Sequence, residues 1–124
     1  TIEFKGGPAI TFEDVLVLKL GRHFRLPQGN KLVVGRNEEE NELLKAYWTL
    51  GCFLEVRGHK GPLCLYVGDR DSEDFALAQR ITARYSDCPY DQEAPVQVLH
   101  QDEVQEEQMT LPLPFGDENA WKIQ

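Results

Sequence analysis

The chain has 124 residues, 41% of them apolar and 27% charged, which is the profile of one globular domain large enough to bury its own core. No apolar run approaches the roughly 20 residues that cross a bilayer, and "TIEFKGGPAITFEDV" lacks the basic-then-apolar order of a secretory leader. The formal net charge of -8 speaks against indiscriminate affinity for nucleic acid, because phosphate neutralisation supplies most of such binding. The chain opens on Thr1 rather than Met, so we expect a piece excised from a longer protein.

Short strands are expected at Ile2–Phe4 and Ala9–Phe12, with the turn "KGGP" between them. "VLVLKL" (15–20) is aliphatic and β-branched and predicts a strand, which Gly21 breaks. "RHFRL" (22–26) alternates basic with apolar residues and predicts a strand with one wet face. Pro27-Gln28-Gly29-Asn30 is a turn, since Pro presets one dihedral and Gly or Asn accepts the left-handed region. "KLVVG" then returns as a second strand, closing a hairpin. From Val15 to Asn37 there are five basic residues (Lys19, Arg22, Arg25, Lys31, Arg36), together with His23, and no acid.

Asn37 is suited to cap a helix, and Glu40 three residues later matches a capping box. Glu38 and Glu39 fall in the first turn, where negative charge offsets the helix dipole. Leu43, Leu44, Tyr47 and Trp48 have helical spacing for a buried face, so a helix is expected over Glu38–Leu50. "CFLEV" (52–56) and "PLCLYV" (62–67) form a second hairpin, with Arg57, His59 and Lys60 in its loop. Asp71 is expected to cap a second helix, with Glu73 and Asp74 in its first turn and Phe75, Ala78, Ile81 and Tyr85 on one face. "APVQVLH" (94–100) is expected to be the last strand.

Residues 101–124 lose this periodicity and form an acidic tail, partly packed or flexible, with Phe115 and Trp121 as its candidate anchors. From His100 to the end there are six acids against Lys122 alone. The expected fold is therefore α+β: one domain over residues 1–100, with a small mixed sheet built from hairpins and two helices packed against it.

Motifs for catalysis are missing. There is no G-x-S-x-G, no Gly-rich phosphate loop, no H-E-x-x-H and no dinucleotide fingerprint, and capping explains the acids at the helix starts. We therefore assign no catalytic residue and no cofactor. Cys52, Cys64 and Cys88 are widely spaced, without a C-x-x-C pair, and His23, His59 and His100 are scattered, so no metal site is expected. Reduced, buried thiols fit a cytoplasmic setting.

A binding surface is the better-supported class. Its candidates are Arg22, His23, Arg25 and Lys31 on the first hairpin, Arg36 and Asn37 at the strand-to-helix corner, and Lys60 with Gly61 in the second loop. The plain alternative for each is a solvated face or loop. Phosphate contact through Arg36 and the amides of the following helix is mechanically reasonable, although Glu38, Glu39 and Glu40 occupy the same turn.

"KLVVGRNEEENELL", "FLEVRGHKGPLCLYVG" and "ALAQRITARYS" resemble the NFACT RNA-binding domain, most closely the version appended to bacterial tRNA 2-thiouridylase-like proteins. The family pattern falls here on Gly35, Arg36, Asn37 and Asn41, then on Gly61 and Pro62, then on Ala83, Tyr85 and Ser86. The family's usual Asn-Asp pair is Asn41-Glu42, and Glu55 stands where the broader family tends to carry His. The resemblance covers residues 15–100. It implies a non-catalytic accessory domain for tRNA or other structured RNA, beside the catalytic domain of a tRNA-thiolating enzyme. The alternative is a protein-interaction or oligomerisation module of that enzyme, without RNA contact.

Overall fold

The computed structural model describes residues 20–89, 91–100 and 103–112. The strands expected at 2–4 and 9–12, all of the 15–20 run except Leu20, and Phe115 and Trp121 lie outside these residues. Strands β1 (Arg22–Arg25) and β2 (Lys31–Val34) are followed by helix α1 (Glu38–Leu44), which tightens into a 3-10 turn at Lys45–Tyr47. Then come β3 (Cys52–Val56), β4 (Cys64–Val67), helix α2 (Glu73–Arg84), β5 (Ala94–His100) and β6 (Glu103–Thr110). The strands form one six-stranded sheet in the order β1-β2-β4-β3-β5-β6. Every pairing among them is antiparallel, so the sheet is not mixed. The α+β class holds.

Each face of the sheet carries its own helix. On one side Phe24, Leu32, Val34, Leu54, Cys64, Tyr66, Val96 and Val98 pack with Phe75, Ala78 and Ile81 of α2. On the other, Val33, Phe53 and Leu65 pack with Leu44 and Tyr47 of the α1 segment. This double cover corrects the expectation of a wet face on the first hairpin: Phe24 and His23 point to opposite faces, and both are fully buried. Burial pushes the His23 imidazole below its ordinary value; a hydrogen bond to the Leu20 backbone opposes the shift, and the Arg36 charge adds to it.

The first hairpin turns where Pro27-Gln28-Gly29-Asn30 predicts, with Gly29 at φ 93° and its amide donating to the Leu26 carbonyl at 2.9 Å. The buried Asp74 carboxylate of α2 fastens this turn from below. It accepts from the Gln28 amide at 3.0 Å, the Asn30 amide at 3.2 Å and the Asn30 side-chain amide at 3.0 Å. Ser72, not Asp71, caps α2, its hydroxyl accepting from the Asp74 amide at 3.1 Å. The Asp71 amide instead donates to the Asp69 carboxylate at 2.8 Å.

Helix α1 is shorter than the expected Glu38–Leu50. The Lys45 amide is shared between the Glu42 and Leu43 carbonyls, and that tightening turns the chain so that Leu44 and Tyr47 are buried while Leu43 and Trp48 stay exposed. The other correction concerns the end of the sheet. His100 does not end the last strand, because Glu103–Thr110 pairs along β5 with one register shift between Val98 and Leu99. Thr110 also donates from its hydroxyl to Gln79 of α2 at 3.2 Å.

Candidate nucleic-acid interface

The corner between β2 and α1 is built by its polar residues. Asn37 adopts extended backbone, and its side-chain oxygen accepts from the Glu40 amide at 2.9 Å, as an N-cap does. Glu40 departs from the capping-box geometry by one residue, since its carboxylate takes the Arg36 amide at 2.9 Å rather than that of Asn37. The same carboxylate grips the Arg36 guanidinium in a two-pronged contact, 3.1 Å from Nε and 2.7 Å from Nη2. The guanidinium holds the Glu40 carboxyl down at about 2 and is itself pushed up. A phosphate lodged among these amides would have to displace side chains already bonded to them.

Asn41 ties this corner to the second hairpin. Its side-chain oxygen accepts from the Leu63 amide at 3.2 Å, beside a main-chain bond from the Gly35 amide to the Leu63 carbonyl at 3.0 Å. A Cβ on Gly35 would lie 2.0 Å from that Asn41 oxygen, so only glycine lets the clamp close. The loop carrying Lys60 is fastened in a comparable way. The Asp87 amide donates to the Lys60 carbonyl at 2.8 Å, and a Cβ on Gly61 would fall 2.8 Å from that of Ser86. Gly35, Asn41, Gly61 and Ser86 thus have a structural reason for the pattern they form.

These fastenings frame an open cleft of about 610 Å³. Arg22, Arg36, Asn37, Asn41, Lys60 and Gly61 all line it, together with Gly35, Pro62 and Tyr85 and the acids Glu38, Glu55 and Asp87. The cleft depends on β4 lying between β2 and β3, which brings the second loop beside the strand-to-helix corner. Sequence reasoning did not single out Tyr85 as a cleft residue. The Arg22 guanidinium carbon lies 5.0 Å from its ring centroid and that of Arg84 5.6 Å, a cation–π arrangement that fixes Arg22 in the wall. The resemblance in "ARYS" was the signal available for it.

Three of the expected residues are elsewhere. His23 is buried beneath the corner. Arg25 and Lys31 face each other at the turn end of the hairpin, about 10 Å along the strands from Arg22 at the ~3.3 Å rise per residue of a strand. Among the described residues no group of three or more His, Cys, Asp or Glu side chains is placed to hold a metal, and no helix is long and apolar enough to cross a membrane. Burial pushes all three thiols up, Cys64 to about 12, which leaves them poor nucleophiles and poor ligands.

Fold and cleft together define a small α+β module with a cationic but acid-lined groove at one end of its sheet. A family model described as the NFACT protein RNA binding domain matches residues 21–121, and the chain belongs to that family. No curated protein matches it. Among solved structures, the C-terminal part of the fibronectin/fibrinogen-binding protein from Streptococcus suis has the same fold, with a TM-score of 0.68 at 13% identity. The match covers 84% of this chain and 49% of that one, so the chain spans about half the length of the structure it resembles.

Proposed function

We propose that the chain is a non-catalytic module that binds tRNA or another structured RNA in the cleft between the Arg36-Asn37 corner and the Lys60-Gly61 turn. Its setting in this reading is a cytoplasmic tRNA-thiolating enzyme, whose separate domain carries the chemistry. The observation that supports it is convergence: Arg22, Arg36 and Lys60 come from three separate segments and line one open groove. Phosphates on a structured RNA are held by such cations through shape and charge, without base-stacking platforms. Filter binding of tRNA across a salt series tests it. The expected result is binding that weakens with salt, and a salt slope shallower by about 2 in the Arg36→Ala, Lys60→Ala double variant, roughly one for each phosphate left without its cation. Binding without salt dependence, or an unaltered double variant, would refute the assignment.

A second reading, an interaction or oligomerisation module, is favoured by one observation. The edge strand β6 exposes Val104 and Met109, at 51% and 57% of their surface. Light scattering of the chain and of its Val104→Gln, Met109→Gln variant separates the two readings. Self-association abolished by the variant would support the second.

A further inference from the structure

The cleft is not simply basic. Arg22, Arg36 and Lys60 share it with Glu38, Glu55 and Asp87, and Arg36 is already engaged by Glu40. A groove for phosphate alone has no use for these carboxylates, which oppose an anion by ordinary repulsion.

Glu55 is the least expected of them. It sits in β3, an interior strand, on the same face as the buried Phe53, and is itself half-buried. Among the described residues no hydrogen bond or ion pair reaches its carboxylate. Its carboxylate opens into both cavities, so a donor supplied by a ligand could bond it directly.

The acids and bases are also unevenly distributed. A second cavity of about 320 Å³ shares Glu38, Asn41 and Glu55 with the first and adds Glu42, Lys45 and Leu63, while Arg22, Arg36, Lys60, Tyr85 and Asp87 line only the larger one. The shared wall therefore presents the Glu38 and Glu55 carboxylates, the Asn41 oxygen being taken by Leu63, and the rest of the larger groove carries three cations against Asp87. A nucleotide has the matching polarity, with its phosphodiester at one end and a base edge at the other. Cytosine and adenine carry an exocyclic amine on that edge, where uracil presents a carbonyl oxygen.

We propose that Glu55, flanked by Glu38 and Asn41, accepts the exocyclic amine of an unpaired cytosine or adenine whose phosphate lies against Arg22 and Lys60. The inference rests on the RNA-binding reading and adds base selectivity to it: the module prefers single-stranded C or A to U at one position. Glu55 is a specificity residue in this scheme, and the cations supply the affinity that every base shares.

The test is fluorescence anisotropy of the 124-residue chain with short oligo-C, oligo-A and oligo-U probes, with tRNA measured in parallel. The expected result is that C and A bind about tenfold more tightly than U, within the range of one amine–carboxylate base contact. In Glu55→Gln the preference should collapse to near equality, because the new amide N–H can donate to the uracil carbonyl and U gains affinity. Glu55→Ala should lose the preference without that gain. Equal binding of all three probes by the unaltered chain would overturn the proposal and leave RNA binding intact. So would a Glu55→Gln variant that tightens all three alike, since Glu55 would then act only as a repulsive wall. Binding of tRNA with no binding of any short probe would overturn it too. Failure to bind tRNA or any probe at low salt would remove the RNA reading along with it. Should either variant melt early, discrimination by the unaltered chain alone decides.

Discussion

Helix α2 and helix α1 cover opposite faces of one sheet, yet they are held there by different means. Helix α2 has twelve residues and buries Phe75, Ala78, Ile81 and Ala83 among its seven buried positions, so apolar packing anchors it. Helix α1 has seven residues and buries only Leu44, and three glutamates fill its first turn. Its position is set by polar fastenings: the Asn37 cap, the Arg36–Glu40 pair and the Asn41 clamp on Leu63. A helix that short has little stability of its own. The difference separates a scaffold from the rim of the cleft, because the residues that fasten α1 are the ones that shape it.

The contrast can be broken by mutation, beginning with the scaffold. Ile81→Ala should lower global stability by about 2–5 kcal/mol, as truncation of a fully buried branched side chain does, measured by denaturant unfolding. Asn41→Ala should cost about 1–3 kcal/mol, because it leaves the Leu63 amide without that acceptor. Hydrogen exchange should localise this loss to α1 and the start of β4, with α2 still protected. Equal loss of protection in both helices would show that the two are one cooperative unit. Asn37→Ala should cost about 1 kcal/mol, the usual effect of removing a cap, and again open α1 first.

The smallest effects come from pH. Glu40 is held at about 2 against an ordinary 4.5. Its unfolded counterpart therefore takes up a proton first as acid is added. The contribution of the pair is complete above pH 4.5 and disappears as the pH falls towards 2. His23 has the opposite charge logic and the same direction. Its folded value is depressed below 6.5, so the unfolded state binds the proton first and stability declines as the pH drops through 6.5. Thermal melts between pH 8 and pH 3 should show both losses, and Glu40→Gln should remove only the more acidic one.

The hairpins, the start of α1 and the α+β class were legible in the sequence because turn chemistry and caps act locally, whereas the cap of α2 was placed one residue early, at Asp71 instead of Ser72. The corner at Arg36 and Asn37 was legible for the same reason. The meeting of Arg22 with Lys60 was not, since it follows from β4 inserting between β2 and β3, a long-range choice that no local pattern encodes. His23 was misjudged because alternation of basic with apolar residues describes a half-wet strand, whereas β1 has both faces covered. Strand β6 was illegible for the converse reason. "EVQEEQMT" is exposed at every position but Thr110, so no buried face imposes an alternation, and main-chain pairing to β5 defines the strand.

The pairing of β6 also sets where this module can be cut. Arg57 bonds Glu107 at 2.7 Å across the sheet, and Arg70 reaches Gln105 at 2.8 Å. A fragment ending at His100 would strip these partners and leave the seven residues of β5 as a raw edge, Val96 and Val98 among them. Unpaired apolar edges of that kind recruit other chains. Recombinant forms trimmed to the conspicuous part of the sequence should precipitate, while forms that keep Glu103–Thr110 should stay monodisperse. The inconspicuous acidic segment thus serves as the selvedge of the sheet.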